Sequence, residues 1–208
     1  MPRPRRPRAT RTAAGEDTRA RVLAAARELA VEEGFDGFTV EKVAARAGVS
    51  RMTVYYQFGG KQDLLNALFD HVAARGRIDR LGEAFRQPDP LDALAVFIGV
   101  FCGFWASDRV GIRRLRGWGY LRSEFESTGH ERDAWRRQGL EMIVGRIRER
   151  YGVPAGDAVQ DVIDVLLALT SFESYDVLVR GGREEAEVAA LMTEAARAVL
   201  GVGGEAGG

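Results

Sequence analysis

The side chains with the most chemistry to offer sit between positions 50 and 61. Ser50 is followed by Arg51, Met52, Thr53, Tyr55, Tyr56 and Gln57, and Lys61 comes after a Gly59-Gly60 pair. The segment is rich in donors and acceptors and holds no carboxylate, which suits a surface that faces phosphates. Arg can pair bidentately with guanine and Gln with adenine, while Thr or Met can touch a thymine methyl. Tyrosine hydroxyls can bind phosphate oxygens and fix register without reading sequence. Lys61 falls where a helix is expected to start, so its cation and the free helix N–H groups can grip one phosphate together. The chemistry implied is recognition of double-stranded DNA, with Thr39, Ser50, Arg51, Met52, Thr53, Tyr55, Tyr56, Gln57 and Lys61 as the expected contacts.

Such a set needs a rigid frame, and the flanking residues predict one. Thr39 follows the Gly34-Phe35-Asp36-Gly37 turn and can cap a helix through its hydroxyl. Val40, Val43, Ala44 and Ala47 then share one helical face. Ala44 is small enough for a second helix to cross close by. Gly48 can take the left-handed conformation that ends a helix, Val49 buries the turn, and Ser50 can cap a second helix running to about Phe58. Val54 and Phe58, four apart, face inward. A helix, a short turn with a glycine and a second helix form a helix-turn-helix unit.

Residues 19–68 resemble the DNA-binding domain of the tetracycline-repressor (TetR) family. The matching pieces are ARVLAAARELAVEEGFDGFTVEKVAARAGVS, RMTVYYQF and GGKQDLL, contiguous over about fifty residues. The resemblance implies a homodimeric, all-helical transcription regulator, usually a repressor released from DNA by a small ligand. By position, Thr53, Tyr55, Tyr56 and Gln57 match recognition-helix residues, and Lys61 matches a phosphate-contacting lysine. Two positions depart from the pattern. Ala30 stands where an aromatic is common, and Gln57 where histidine is frequent, which bears on the bases read.

Net charge is zero over 208 residues, but the charge is polarised. Residues 1–80 carry fifteen basic and ten acidic side chains, and the remainder fifteen and twenty. It is the local field that attracts DNA. Only Lys42 and Lys61 are lysines, so the abundance of arginine is not by itself a functional signal. The first sixteen residues read as a basic disordered arm: Arg3, Arg5, Arg6, Arg8 and Arg11 come with prolines that keep it extended. It is read equally as an arm tracking phosphate or the minor groove and as a tail giving non-specific attraction. It has no apolar core and so does not read as a secretory signal. The longest uncharged run, Ala93–Ser107, is fifteen residues, short of the roughly 18–20 that a membrane span needs. A single cysteine, Cys102, excludes an internal disulfide, reads as core, and fits a cytoplasmic location.

The fold class expected is all-α: an N-terminal three-helix helix-turn-helix domain with its connecting helix over 17–80, a helical ligand-binding and dimerisation domain over 81–200, and a flexible tail over 201–208. After a linker at Phe85 to Pro90, helices are expected at about 91–107, 108–122, 130–151, 157–180 and 184–200. Breaks are expected at Ser127-Thr128-Gly129, Gly152 to Gly156 and Gly181-Gly182.

In the helix expected at 157–180, apolar residues occupy more than one face, which calls for burial on several sides, and the last helix carries small residues that permit close approach. Val162, Leu169, Val177, Val188, Met192, Ala195 and Val199 are the expected dimer interface, forming an intermolecular four-helix bundle; burial of both helices within one chain is the alternative. The recognition helices of a dimer would lie about 34–36 Å apart or somewhat further, on a palindromic operator.

The middle helices concentrate aromatics. Phe101, Phe104, Trp105, Trp118, Trp135, Met142 and Phe172, with Glu173, are the expected lining of a site for a small apolar or aromatic effector. Tyr175, Arg113 and His130 are further polar candidates. Ordinary core packing is the competing reading for each aromatic. The helix from Gln62 to about Arg80 would act as the lever between effector and DNA.

No nucleophile–base pair, metal cluster or phosphate loop stands out, so no catalytic residue, metal or cofactor is assigned. A helical protein-interaction module without DNA binding, and an activator on the same fold, remain the alternatives to a repressor.

Overall fold

The computed structural model describes residues 8–121 and 123–202, with side chains from Gly15 onward except those of residue 35 and residues 119–131. Every regular element among the described residues is helical. The chain runs through α1 (Arg8–Glu32), α2 (Gly34–Gly37), α3 (Val40–Ala47), α4 (Arg51–Phe58) and α5 (Lys61–Arg75). A 3-10 turn (Ile78–Arg80) then leads into α6 (Leu81–Phe85), α7 (Pro90–Ser107), α8 (Arg109–Leu121) and α9 (Ser123–Tyr151). α10 (Ala158–Leu169), α11 (Phe172–Arg180) and α12 (Glu185–Leu200) complete it.

Two layers of packing follow from the apolar patterns. α1 forms the floor of the N-terminal unit, burying Val22, Leu23, Ala26 and Leu29 against α3 and α5. Ala30 is fully packed there, so the missing aromatic leaves no exposed hole at that position. α7 is the axis of the second unit: α6, α9 and α12 pack on it, and Phe97, Ile98, Phe101, Cys102 and Trp105 are buried. Pro90 starts α7 behind an Asp89 cap, whose carboxylate accepts from the Leu91 N–H at 2.8 Å. With its first turn included, α7 is 18 residues long and apolar enough to cross a membrane, yet half of it is buried inside the fold. Its apolarity is accounted for by core packing.

Several boundaries differ from those expected. α1 begins at Arg8, so residues 8–16, assigned to the disordered arm, are helical. Residues 1–7 of that arm and 203–208 of the tail lie outside the described residues. The helix expected to open at His130 starts at Ser123, and the Ser127-Thr128-Gly129 break is spanned by α9. Conversely, 157–180 is two helices. The Thr170 hydroxyl donates back to the Leu166 carbonyl at 2.8 Å, and the extended Ser171 caps α11 by accepting from the Ser174 N–H at 3.2 Å. That kink aims the Thr170 carbonyl sideways, where the Trp105 indole donates to it at 3.1 Å. Side-chain hydroxyls that compete with the helix ladder are the physical cause.

Candidate nucleic-acid interface

α3 and α4 form as their capping residues dictate. The Thr39 hydroxyl accepts from the Lys42 N–H at 3.2 Å, and Val40, Val43, Ala44 and Ala47 are buried. Gly48 sits at φ +65°, and its N–H returns to the carbonyls of Ala44 and Ala45. A side chain there would be strained. The Ser50 hydroxyl accepts from the Thr53 N–H at 3.1 Å and lies 2.8 Å from the Thr53 hydroxyl. Val54 and Phe58 plug α4 into the core.

Arginines of α1 brace this unit from behind, a role that single-helix periodicity does not reveal. The Arg21 guanidinium donates to the Ala47 carbonyl at 2.7 Å, at the end of α3. Arg19 lies over the Phe58 ring at 4.4 Å and donates to the Gln57 carbonyl at 3.4 Å. Lys42 pairs with Glu33, and Arg46 with Glu32 at 2.6 Å.

The outer face of α4 is what remains. Met52 is 72% and Tyr56 92% exposed, one helical turn apart. Arg51 is also exposed. It pairs with Glu41 at 3.0 Å and stacks over Tyr55 at 5.2 Å, which holds its guanidinium beside the same face. Thr53 and Tyr55 are half-buried. Gln57 points differently from the base-reading role expected of it: its Oε1 is buried and has no hydrogen-bond partner among the described residues. Lys61 opens α5, whose Gly60 cap supplies no side chain, and its ammonium lies 5.8 Å from the Phe38 ring. Thr39 and Ser50 are committed to capping, so their hydroxyls serve the frame.

Residues 22–68 match the family model described as bacterial regulatory proteins, tetR family. Over those residues the N-terminal unit is similar to the DNA-binding region of that family. It is 43% identical over 61 residues to the HTH-type transcriptional regulator SrpR of Pseudomonas putida, spanning 29% of each chain. It is 32% identical over 120 residues to the HTH-type transcriptional regulator EthR of Mycolicibacterium smegmatis, covering 54% of this chain and 55% of that one. The matches thus span between about a third and a half of these relatives' length. A solved TetR-family transcriptional regulator from Rhodococcus sp. superposes with a TM-score of 0.73 at 17% identity, over 88% of this chain and 98% of the other. That likeness is one of fold, and it extends through the C-terminal helices.

Within this fold the expected effector residues separate into two groups. Phe101, Trp105, Trp118 and Phe172 are buried, and Phe104 is half-buried. Trp105 touches three of these rings, with centroids 5.9 Å from Phe101, 4.5 Å from Phe104 and 5.7 Å from Phe172. Trp135 and Met142 are instead half-exposed on α9, at 52% and 51%, and do not join that cluster. Their register puts them opposite the buried Leu140, Ile143 and Ile147. Trp118 packs on Phe38 at 5.6 Å, joining α8 to the DNA-binding unit.

Ionisable groups that the sequence reading missed surround the aromatics. Arg116 pairs with Glu173 at 2.8 Å and with Asp133 at 3.7 Å. Arg136 is 3% exposed and lies 3.2 Å from Asp133. The register Arg136, Leu140, Ile143, Ile147 was a readable signal that one arginine points into the core. Arg113, expected as an effector contact, holds Asp176 together with Arg109 and Arg180. Burial alone would raise the Asp176 pKa, but hydrogen bonds from Arg113 and Arg109 outweigh it and hold the carboxyl below the ordinary range. Tyr175 is buried and its pKa is raised by desolvation. The His130 side chain lies outside the described residues.

The expected dimer residues also divide. Val162, Val188 and Met192 are buried within the single chain, so they are core and not interface. α12 buries them by packing on α7 and α10. Val177 is 60% exposed, Val199 is also exposed, and Leu169 and Ala195 are half-buried. Val165, absent from the expected set, is exposed on α10. Among the described residues, no group of three or more His, Cys, Asp or Glu side chains is placed to hold a metal ion.

Proposed function

We propose that this protein is a cytoplasmic, ligand-responsive DNA-binding transcriptional regulator, a homodimeric repressor of a palindromic operator. The outer face of α4 carries the proposal: Arg51, Met52 and Tyr56 project from a capped, rigid unit with no carboxylate on the same helix. Tyr56 and Arg51 would bind phosphate or base edges, Met52 a thymine methyl, and Lys61 a phosphate at the start of α5. The relatives it resembles are themselves transcriptional regulators by name, which also disfavours an enzyme.

Release would require a small effector to favour one spacing of two reading heads. The helix expected as the lever, from Gln62 to about Arg80, ends at Arg75, and α5 packs on α7. A second route runs through α8. Asp108, just before it, takes a bidentate grip from Arg27 of α1 at 2.7 and 2.8 Å, and Trp118 on it supports Phe38. Coupling of about 1–3 kcal/mol is the expected scale. Selection of bound sequences from random duplex DNA, followed by a salt titration, tests the reading. An enriched palindrome with steep salt dependence supports it. Absence of any enrichment would overturn it in favour of a helical interaction module.

A further inference from the structure

The aromatic cluster of the C-terminal domain is built around two cations placed deeper than their counter-ions. Arg136 is 3% exposed and Arg116 15%, whereas Asp133 and Glu173, which pair with them, are 34% and 44% exposed. The Arg136 guanidinium lies over Phe101 at 5.7 Å and Trp105 at 6.0 Å, and Arg116 lies over Trp105 at 5.9 Å. One floor of rings therefore carries both guanidinium groups. The Arg136 Nη1 also donates to the Thr170 carbonyl at 3.4 Å, the same oxygen that fixes Trp105.

Desolvating a guanidinium is costly unless it is paired and hydrogen-bonded. A core that needed only packing would use an apolar residue at position 136, in register with Leu140 and Ile143. The two acids are the more exposed members of these pairs, while the arginines are held among the rings. An incoming carboxylate could thus replace Asp133 or Glu173 on the fork-shaped donors, with its apolar body against Trp105, Phe101 and Phe172.

We infer that the effector is an anionic amphiphile, an aromatic or aliphatic carboxylate, held by Arg116 and Arg136 over the Trp105 floor after displacing Asp133 and Glu173. This deepens the proposed ligand-responsive reading and rests on it. The site shares α8 with Trp118, which packs on Phe38 of the DNA-binding unit.

Three probes of one skeleton test this: 2-naphthoate, 2-naphthamide and 2-naphthylmethylamine, with full-length protein. Binding is read by calorimetry and DNA occupancy by fluorescence anisotropy on the selected operator. The carboxylate should bind at least about tenfold more tightly than the amide or the amine, as expected for charge-assisted hydrogen bonds. Arg116→Met and Arg136→Met should each remove that preference. Asp133→Asn should do the opposite and tighten 2-naphthoate several-fold, because a competing counter-ion is gone; this variant guards against misfolding of the arginine variants. Equal or tighter binding of the amide or amine, binding of none of the three, or weaker naphthoate binding in Asp133→Asn would each overturn the assignment. Naphthoate binding with the expected preference but unchanged operator occupancy would support the site while overturning the release mechanism.

Discussion

Tyr56 and Gln57 are neighbours in the chain, but the fold gives them opposite fates. Tyr56 is almost wholly exposed, while Gln57 tucks its Oε1 inward. Tyr56→Phe is therefore expected to weaken binding to all duplexes alike, by about 1 kcal/mol if one phosphate hydrogen bond is lost. Met52→Ala should instead reduce preference for thymine at one position of each half-site, visible as a changed base profile in repeated selection. A uniform loss for Met52→Ala would mean it contacts no base. Cys102 gives a second residue-scale expectation. Burial pushes its thiol pKa up to about 12, and its Sγ lies 3.6 Å from the Met192 sulfur. Thiolate is the reactive form, so iodoacetamide at pH 8 should leave Cys102 unmodified in the folded protein and label it readily in denaturant. Mass spectrometry showing rapid labelling of native protein would contradict its core placement.

Helix caps and interhelix arginine staples set the stability of the elements. Asp176 of α11 joins Arg109 and Arg113 of α8. Its folded pKa lies below the ordinary value of about 3.8. The contribution is therefore complete above the ordinary value and is lost as pH falls through it toward the lower folded value. Asp176→Asn should cost about 2–3 kcal/mol at pH 7, less than a fully buried pair because the arginines are partly exposed. Urea unfolding at pH 7 and pH 3 checks this: the gap between wild type and variant should narrow at the lower pH. The helices themselves were largely legible in the sequence. Thr39, Gly48 and Ser50 announced α3 and α4 because capping is local chemistry. The split at Thr170-Ser171 was hidden, since apolar periodicity runs across it and the decisive Trp105 contact comes from 65 residues away. Likewise the arginine pairs over the aromatic floor depend on which helices meet, and a one-helix reading sees only arginines.

At the scale of the molecule, the proposed dimer requires an apolar surface that one chain leaves for a second. Val188 and Met192 read as interface in the sequence because the last helix carries an apolar stripe with small residues that permit close approach, but α7 already uses that face. What α10, α11 and α12 leave uncovered are Val165, Val177 and Val199. In a two-fold dimer each substitution acts twice. A charge forced into such an interface at about 1–2 kcal/mol per copy would weaken dimerisation roughly 30- to 1000-fold. Val177→Asp and Val165→Asp should thus shift sedimentation from dimer toward monomer with little change in the thermal unfolding of the monomer. Met192→Ala should behave inversely, lowering folding stability by about 2–5 kcal/mol through a core cavity while the species that remain folded stay dimeric. The DNA readout follows from the same geometry. A monomer carries one reading head, so Val177→Asp should bind a palindrome no better than a single half-site, whereas the wild type should prefer the palindrome strongly. If Val177→Asp remains a dimer in sedimentation and keeps that preference, the pairing surface is not on α11, and the half-exposed Trp135 and Met142 of α9 become the face to mutate next.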